Sequence, residues 1–343
     1  MFTAPTVVGD VVFVGSCSGV AYAFDRERGT IRWSYDTRQD GGPAQFHGAP
    51  AVVGDLLVTG SDTAEPNLLY AFEWESGELR WKTDRDVIET DVLLAAGNLV
   101  GATWNGSLVA LDPASGARRW KAAVEDSRCG RRPHPPALAG DRIFFADGEG
   151  ALSAIDAATG RVLWRRDLGC ASTAPVVWGE DLLVGLAPGR IVRIRLDDGA
   201  LVGEREVGGR AHSRLTLAGE RLVALVGERD LVAFDRDLRE LWRRRARSEW
   251  SSYRPLVWRG VVVVGDGDGN LFGLDPAEGE IAWTLHVPGV IRGLGADGDL
   301  LFVGTLRGSI LAVAPDGLEK PVAEPPAHHP GSGSDRGGGG RER

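Results

Sequence analysis

A segment that recurs along the whole chain constrains the fold more than any other feature. Its best copy spans residues 154–164, where a strand closes on Asp156, a tight turn contains Gly160, and the next strand carries Trp164. Further copies end at Trp33, Trp81, Trp120, Trp242 and Trp283. A repeat in which Asp, Gly and Trp keep nearly the same spacing predicts stacked copies of one structural unit rather than independent domains.

The turn glycine, or the residue in its place, marks each copy of the repeat. These marks are Gly29, Gly77, Gly116, Gly160, Gly199, Arg239, Gly279 and Gly317. Their spacing averages about 41 residues, which fits a unit of four strands. In the first unit, the runs 5–8, 11–15, 20–25 and 30–35 are rich in Val and are bounded by Gly and Asp. The marks predict an all-β chain: one eight-bladed β-propeller of four-stranded antiparallel blades over residues 1–317.

Three repeats depart from the pattern. Repeat five has Gly203 where Trp is expected, repeat six has Arg239 in place of the turn glycine, and repeat eight reaches no Trp. We expect looser packing around these blades. Pro321 cannot donate to a strand ladder, so we expect three good strands in the eighth blade and a short or absent fourth. Residues 318–343 are rich in Pro and Gly and are predicted to form a disordered tail.

The Ala-x-Asp-x-x-Thr-Gly-x-x-x-Trp pattern of residues 154–164 resembles the repeat of the PQQ-like β-propeller superfamily. That superfamily includes quinoprotein dehydrogenases, propeller lipoproteins of outer-membrane assembly, and sensor domains attached to bacterial kinases. The resemblance covers nearly the whole chain. It implies the propeller fold, whereas most members that carry the repeat bind no quinone. We therefore expect no cofactor, although the resemblance makes PQQ possible.

Composition restricts the partners and the location. Apolar residues make up 43% and charged residues 25% of the chain, which is typical of a soluble globular protein. The net charge of -9 disfavours nucleic acid as a partner, and the longest apolar runs are too short to span a bilayer. Three cysteines, Cys17, Cys129 and Cys170, predict no disulfide framework. The chain as written is expected to be cytoplasmic, or periplasmic or extracellular if the true start lies upstream.

Two groups of residues have a structural and a functional interpretation. The six repeat tryptophans, Trp33, Trp81, Trp120, Trp164, Trp242 and Trp283, suit either blade docking or the floor of a planar cofactor site. Their periodicity favours docking, with each indole N–H bonded to a backbone carbonyl of the neighbouring blade. Residues 266–270 resemble the opening of a calcium loop, but they fall where each repeat turns. The turn interpretation is preferred, and no metal site is predicted.

The residues that lead into the inner strands form the candidate binding site. In a propeller these connections gather around one mouth of the central channel, and convergent loops build concave sites. The candidates are polar or charged residues close before the inner strands: His47, Asp91, His134, Thr173, His212, Tyr253 and Arg292. We expect an anionic or peptide ligand there, with Arg292 supplying charge and the histidines making binding sensitive to pH between 6 and 8.

No nucleophile elbow, phosphate-binding glycine loop or adjacent cysteine pair occurs in the sequence. The chain is therefore predicted to be a non-enzymatic scaffold that presents its rim and central funnel to a protein or peptide partner. A small-molecule sensor module is the first alternative, and a PQQ-dependent oxidoreductase is the second.

Overall fold

A computed structural model describes residues 4–16, 18–41, 45–46, 49–62, 68–85, 87–88, 90–103, 105–122, 129, 134–147, 149–252 and 254–318. Eight antiparallel sheets follow one another in chain order, so the predicted eight-bladed propeller is confirmed. The strands of blades 1 to 4 are β1 Thr6–Val8, β2 Val11–Gly15, β3 Val20–Asp25, β4 Ile31–Asp36, β5 Gln45–Phe46, β6 Ala51–Val53, β7 Leu56–Asp62, β8 Leu69–Glu73, β9 Leu79–Thr83, β10 Leu93–Ala95, β11 Asn98–Ala102, β12 Leu108–Leu111, β13 Arg118–Ala122, β14 Ala137–Ala139, β15 Arg142–Ala146, β16 Ala151–Asp156 and β17 Val162–Asp167.

Blades 5 to 8 repeat the arrangement. Their strands are β18 Val176–Trp178, β19 Asp181–Leu186, β20 Arg190–Arg195, β21 Leu201–Glu206, β22 Ala211–Leu217, β23 Leu222–Val226, β24 Asp230–Phe234, β25 Glu240–Arg245, β26 Leu256–Trp258, β27 Val261–Gly265, β28 Asn270–Leu274, β29 Ile281–His286, β30 Ile291–Asp297, β31 Leu300–Thr305 and β32 Ile310–Val313. Two short 3-10 helices, Thr37–Asp40 and Pro315–Gly317, complete the described elements. None of the helical segments in the described ranges is long and apolar enough to cross a membrane.

Seven of the sheets contain a four-stranded meander, and β5 adds a short extra strand to the second. The eighth sheet contains β30, β31 and β32 within the described residues. The expectation of a short or absent fourth strand, and the predicted tail apart from Leu318, fall on residues 319–343, which lie outside the described residues. The ring closes where β30 meets β1, because Arg26 pairs with Asp297 at 2.7 Å and Gly295 lies directly against the carbonyl of Pro5.

The repeat sequence forms its turn through side-chain and backbone contacts. Asp156 accepts hydrogen bonds from the amide and the hydroxyl of Thr159 at 2.8 and 2.6 Å. Gly160 has a φ of +74°, which a residue with a Cβ adopts only at a cost. The same glycine is also covered by Trp120 of the preceding blade, because an added Cβ would lie 2.7 Å from the indole. The conformation of the turn and the contact with Trp120 therefore both favour glycine at this position.

This tryptophan–glycine contact recurs at five junctions between blades. The indole of one blade lies over the turn glycine of the next and donates its N–H, at 2.8–3.2 Å, to a carbonyl three residues before that glycine. The pairs are Trp33 on Gly77, Trp81 on Gly116, Trp120 on Gly160, Trp164 on Gly199 and Trp242 on Gly279. These five indoles are only partly buried, so part of each ring stays in contact with solvent.

Trp283 packs differently from the other five. Its ring lies over Gly273 of its own blade and meets Trp258 edge-on, with centroids 6.0 Å apart. Trp258 donates the bond to the next blade, through Gly298 at 3.2 Å. The buried apolar residues form seven clusters, each shared by two consecutive blades from the first pair to the junction of blades 7 and 8.

The departures from the repeat have two different outcomes. Blade 5 lacks the tryptophan and blade 6 lacks the glycine, and these are the two halves of one junction. Leu238 fills it: its side chain is 1% exposed and belongs to the cluster that contains Trp178. Looser packing was therefore the wrong expectation for this junction. Between blades 8 and 1, by contrast, no atom of the described residues lies within 4 Å of a Cβ on Gly29, and a cavity of about 300 Å³ lies between the described parts of the two blades.

Candidate functional site

The candidate site is the channel mouth onto which the connections from outer to inner strands open. Among the predicted residues, His47 and Tyr253 lie outside the described residues, and His212 lies within β22. Thr173 is fully buried, and its hydroxyl is hydrogen bonded to the amide of Gly185 at 2.8 Å and the carbonyl of Ala174 at 3.1 Å. Thr173 therefore stabilises backbone and does not offer its hydroxyl to a ligand. Arg292 lies in β30 and is partly buried.

Strand register identifies one equivalent position in all eight blades, which we call the channel ring. In each blade, the reference is the last residue of the inner strand that pairs with the second strand. In blade 1 this is Val8, which pairs with Val11. The ring position lies four residues before the reference residue. In blade 6 the corresponding residue is Ala218, whose amide donates to the carbonyl of Arg221 at 2.9 Å. The ring consists of Ala4, Ala49, Asp91, Pro135, Ala174, Arg214, Arg254 and Gly293. Five members are small or Pro, and three are charged. The acidic member lies in blade 3, and the two basic members lie on the opposite side of the mouth, in blades 6 and 7.

Asp91 and Arg214 form an ion pair between blades that are not neighbours. Their Oδ2 and Nη2 atoms are 2.6 Å apart, and each side chain is about 30% exposed. The other carboxylate oxygen of Asp91 accepts a hydrogen bond from the amide of Ala49 at 3.2 Å. Since Ala49 belongs to blade 2, Asp91 to blade 3 and Arg214 to blade 6, the pair spans the channel mouth.

Arg254 is the uncompensated charge of the ring. Its side chain is partly buried and makes no hydrogen bond or ion pair with any residue in the described ranges. Burial lowers the pKa of Arg254, as does the neighbouring charge of Arg214, while Asp91 acts in the opposite direction. Because a guanidinium stays protonated in proteins, the shift reports a cation held without its own counter-ion.

His134 lies beside these arginines. Its Nε2 atom is 3.3 Å from the carbonyl oxygen of Ala171. Burial lowers the pKa of His134, and the charges of Arg210 and Arg214 lower it further, against the opposing effect of the Ala171 carbonyl. His134 is therefore neutral at pH 7 and titrates below the ordinary histidine range. The expected pH window of 6 to 8 is shifted to lower pH for this residue.

A disulfide joins two loops on the same face of the propeller. Cys129 and Cys170 are bonded, with their Cα atoms 5.2 Å apart and a sequence separation of 41. Ala171, whose carbonyl contacts His134, follows Cys170 directly. The sequence predicted no disulfide framework and did not anticipate this single bond, because an odd cysteine count does not prevent one pair from meeting in the fold. Cys17 lies outside the described residues.

The inner strands of blades 4 to 7 enclose a cavity of about 470 Å³. Arg214 and Arg254 are its charged lining residues, and the remaining walls are Pro, Ala, Leu and Val side chains with one Thr. None of the described residues that line it is aromatic, and the repeat tryptophans are engaged between blades. The described residues thus offer no floor for a planar quinone, and PQQ does not fit this cavity. Nor do they contain a group of three His, Cys, Asp or Glu side chains able to hold a metal ion.

The calcium-like segment 266–270 is a strand turn in the structure. The Asp266 carboxylate accepts the amides of Asp268 and Asn270 at 3.0 and 2.8 Å, and Asn270 also donates its side-chain amide to it. The run of arginines around Arg243 lies on the outer strand β25, where Arg243 pairs with Asp230 at 3.0 Å. Both segments therefore serve local structure.

Sequence reasoning found Asp91 and His134 but missed Arg214 and Arg254. A signal for Arg254 was present, because Ala precedes the Pro of the inner strand in three repeats and Arg254 replaces it in repeat seven. Repeat six has Leu215 in place of that Pro, so Arg214 falls in the same register only when the strands are paired. The eight equivalent positions of the channel ring can be recognised only from the hydrogen-bonded pairing of the strands.

Comparison with known proteins gives the family. A family model described as "Outer membrane protein assembly factor BamB" matches residues 65–217 and 208–319. A relative of that name from Vibrio cholerae is 30% identical over 296 residues, which cover 81% of this chain and 74% of the relative. One from Moranella endobia is 25% identical over 336 residues, covering 90% and 84%. One from Yersinia pestis is 25% identical over 247 residues, covering 68% and 61%. The chain belongs to the BamB family of PQQ-like β-propellers.

Solved structures agree with this fold. BamB from Moraxella catarrhalis superposes with a TM-score of 0.76 at 20% identity, covering 90% of this chain and 95% of that one. A quinohemoprotein alcohol dehydrogenase from Comamonas testosteroni superposes with a TM-score of 0.69 at 15% identity, covering 88% and 69%. At these identities the structures show a shared architecture alone.

Proposed function

We propose that this protein is a non-enzymatic scaffold that binds another protein of outer-membrane assembly at its channel mouth. The relatives that match in sequence carry the name of an assembly factor, whereas the enzyme shares only the fold. The observation that carries the proposal is the charged part of the channel ring. A charge in a partly buried position costs solvation energy, and a binding role accounts for its presence at only three of eight equivalent positions.

The disulfide supports a location outside the cytoplasm. Disulfides persist in oxidising compartments and are rare where cellular thiols keep cysteines reduced. The Cys129–Cys170 bond therefore favours the periplasmic or extracellular alternative over the cytoplasmic expectation, as do relatives named for the outer membrane. Trapping free thiols in intact cells tests this. One free thiol per chain is expected for the oxidised protein, while three free thiols in the native protein would contradict the location.

A small-molecule sensor is the second candidate, because a cavity of about 470 Å³ lies within the size range of ligand sites. A PQQ-dependent oxidoreductase is not favoured, because the described residues that line the cavity provide no aromatic floor. Gel filtration after incubation with PQQ and Ca²⁺ tests that alternative. We expect no retained chromophore, and stoichiometric retention would make the enzyme the leading function.

Affinity capture from solubilised envelopes tests the scaffold. The bait is the parent chain, a mouth variant carrying Arg254→Gln and Arg292→Gln, or a rim control carrying Leu201→Ser, whose side chain is 53% exposed on β21. We expect the parent and the rim control to retain proteins of outer-membrane assembly and the mouth variant to lose them. Equal capture by the mouth variant would place the binding surface elsewhere. Capture of no assembly protein by any bait would contradict the function.

A further inference from the structure

The three charged members of the channel ring suggest what kind of group the mouth accepts. We propose that Arg254 and Arg214 form a binding site for a carboxylate carried by an extended peptide segment, and that Asp91 is the internal group with which this carboxylate competes. The inference rests on the proposed function only in taking the ligand to be part of a partner protein. It specifies the recognised chemistry and the residues that recognise it.

The first step is that the site attracts an anion. Arg214 and Arg254 line the same cavity, and Asp91 is the acid that pairs with Arg214. Arg254 makes no hydrogen bond or ion pair within the described part of the chain. Between apolar walls a cation without a partner is unfavourable, so an incoming anion gains more from Arg254 than it would from a solvated arginine.

The second step is that the anion is a carboxylate. The Asp91 carboxylate approaches Arg214 to 2.6 Å, so this position already presents a guanidinium suitably to that group. Guanidinium and carboxylate form short, charge-assisted hydrogen bonds with matched planar geometry. A phosphate would need further donors, yet the remaining polar lining side chain, Thr216, donates to the carbonyl of Pro255 at 2.8 Å.

The third step is that the carboxylate belongs to a peptide. On either side of the two arginines the cavity presents Pro175, Leu215, Pro255 and other apolar side chains. Such walls favour a small or aliphatic neighbour beside the acidic group. A segment with one Glu between aliphatic residues satisfies both the two cations and the apolar walls.

The role of Asp91 predicts in which direction each substitution changes the affinity for a carboxylate. Asp91 holds Arg214, and it reduces the positive potential felt by a second carboxylate. Replacing Asp91 with Asn removes the charge and keeps an oxygen that can accept the amide of Ala49. We therefore expect Asp91→Asn to strengthen carboxylate binding and Arg254→Gln to weaken it. If both residues were merely structural, both substitutions would weaken binding or leave it unchanged.

Calorimetric titration at low ionic strength tests the site on the full chain. The probes are the peptides Ac-Ala-Leu-Glu-Leu-Ala-NH2, its Gln counterpart, its phosphoserine counterpart, and the Gln peptide with a free C-terminal carboxylate. A charge-assisted hydrogen bond contributes about 1.5–3 kcal/mol, so the Glu peptide should bind the parent about 10–150-fold more tightly than the Gln peptide. The Gln peptide with a free terminus shows whether a main-chain carboxylate serves equally well.

The variants use the same probes, with Arg161→Gln as the matched control because Arg161 is exposed on a turn of blade 4. We expect at least a tenfold loss for Arg254→Gln, at least a threefold gain for Asp91→Asn, and no change for Arg161→Gln. Equal affinity of the parent for the Glu and Gln peptides would overturn the proposal, and this comparison needs no variant to fold. Tighter binding of the phosphoserine peptide than of the Glu peptide would also overturn it.

The failure of this inference is distinguishable from the failure of the proposed function. If the Glu peptide shows no preference while the parent chain still captures an assembly protein, the function stands and the carboxylate site does not. If the peptide binds as expected while no assembly protein is captured, the site stands and the assembly function does not.

Discussion

The outer and inner ends of the blades follow the repeat to different degrees. At the outer ends, five junctions place a tryptophan on the turn glycine of the next blade with nearly the same geometry. At the inner ends, the channel ring is small or Pro in five blades and charged at Asp91, Arg214 and Arg254. A residue common to all repeats serves packing common to all repeats. Charges placed at a few equivalent positions cost solvation energy, and the proposed function accounts for them as a binding site.

A second difference separates the junctions themselves. Blades 5 and 6 lost the tryptophan and the glycine together, and Leu238 takes up the space with a positive φ of 59°. Blades 8 and 1 kept Gly29 without a tryptophan to cover it, and a cavity remains. Tryptophan and glycine are therefore two halves of one contact, contributed by adjacent blades. Substitutions at the outer ends should change stability, and substitutions in the ring should change binding.

The largest effect is expected from Trp164→Ala. This change removes an aromatic side chain that covers Gly199 and donates to Leu196 at 2.9 Å. We expect a loss of about 3–4 kcal/mol in the free energy of unfolding, measured by denaturant titration, because part of the ring is in solvent. The folded fraction should bind the Glu peptide as the parent does. The adjacent Leu163→Ala is the control, and an equal small loss in both would refute the junction contact.

Removing the disulfide should have the next effect. The double substitution Cys129→Ser, Cys170→Ser frees a loop of 41 residues in the unfolded chain. We expect a loss of about 2–4 kcal/mol in unfolding free energy, with Cys17→Ser as the matched control. A thermal midpoint that is unchanged both by the double substitution and by reductant would show that the bond contributes nothing.

Two glycines provide a direct comparison of covered and bare junctions. Gly199 and Gly29 have φ values of +70° and +65°, so an alanine meets similar backbone strain at both. At Gly199 its Cβ would also lie 2.7 Å from Trp164, while at Gly29 it would have no neighbour within 4 Å among the described residues. Gly199→Ala should therefore cost about 1–3 kcal/mol more than Gly29→Ala in unfolding free energy. Equal costs would mean that the indole moves aside freely.

The smallest effect concerns pH. Because burial and the arginines lower the pKa of His134, the unfolded chain binds more protons than the folded one between that lowered pKa and about 6.5. The contribution of His134 to stability therefore falls as pH falls through this window. Denaturant titration at pH 7 and pH 5 should therefore show a smaller acid loss in unfolding free energy for His134→Gln than for the parent. An identical acid loss in both proteins would contradict the direction of the shift.

The sequence predicts the fold well because the residues that determine it repeat. Each repeat predicts a turn and a contact with the next blade, as Asp156, Gly160 and Trp164 show in repeat four. The glycine that each tryptophan contacts lies at a nearly constant distance further along the chain. The site is less predictable because it consists of exceptions. Asp91 was found because it leads into an apolar strand, whereas Arg214 required the strand pairing. Cys129 and Cys170 meet because two loops lie on one face, and no local pattern in the sequence encodes that approach.

Hydrogen–deuterium exchange of the protein, alone and with its captured partner, tests the binding face most directly. If the channel mouth is the binding face, protection should appear in the segments that lead into the inner strands of blades 3 to 7, including those around Asp91, Arg214 and Arg254. The outer strands β17, β21 and β25 should exchange as in the free protein. Protection confined to those outer strands, with the mouth unchanged, would contradict the assignment of the binding face.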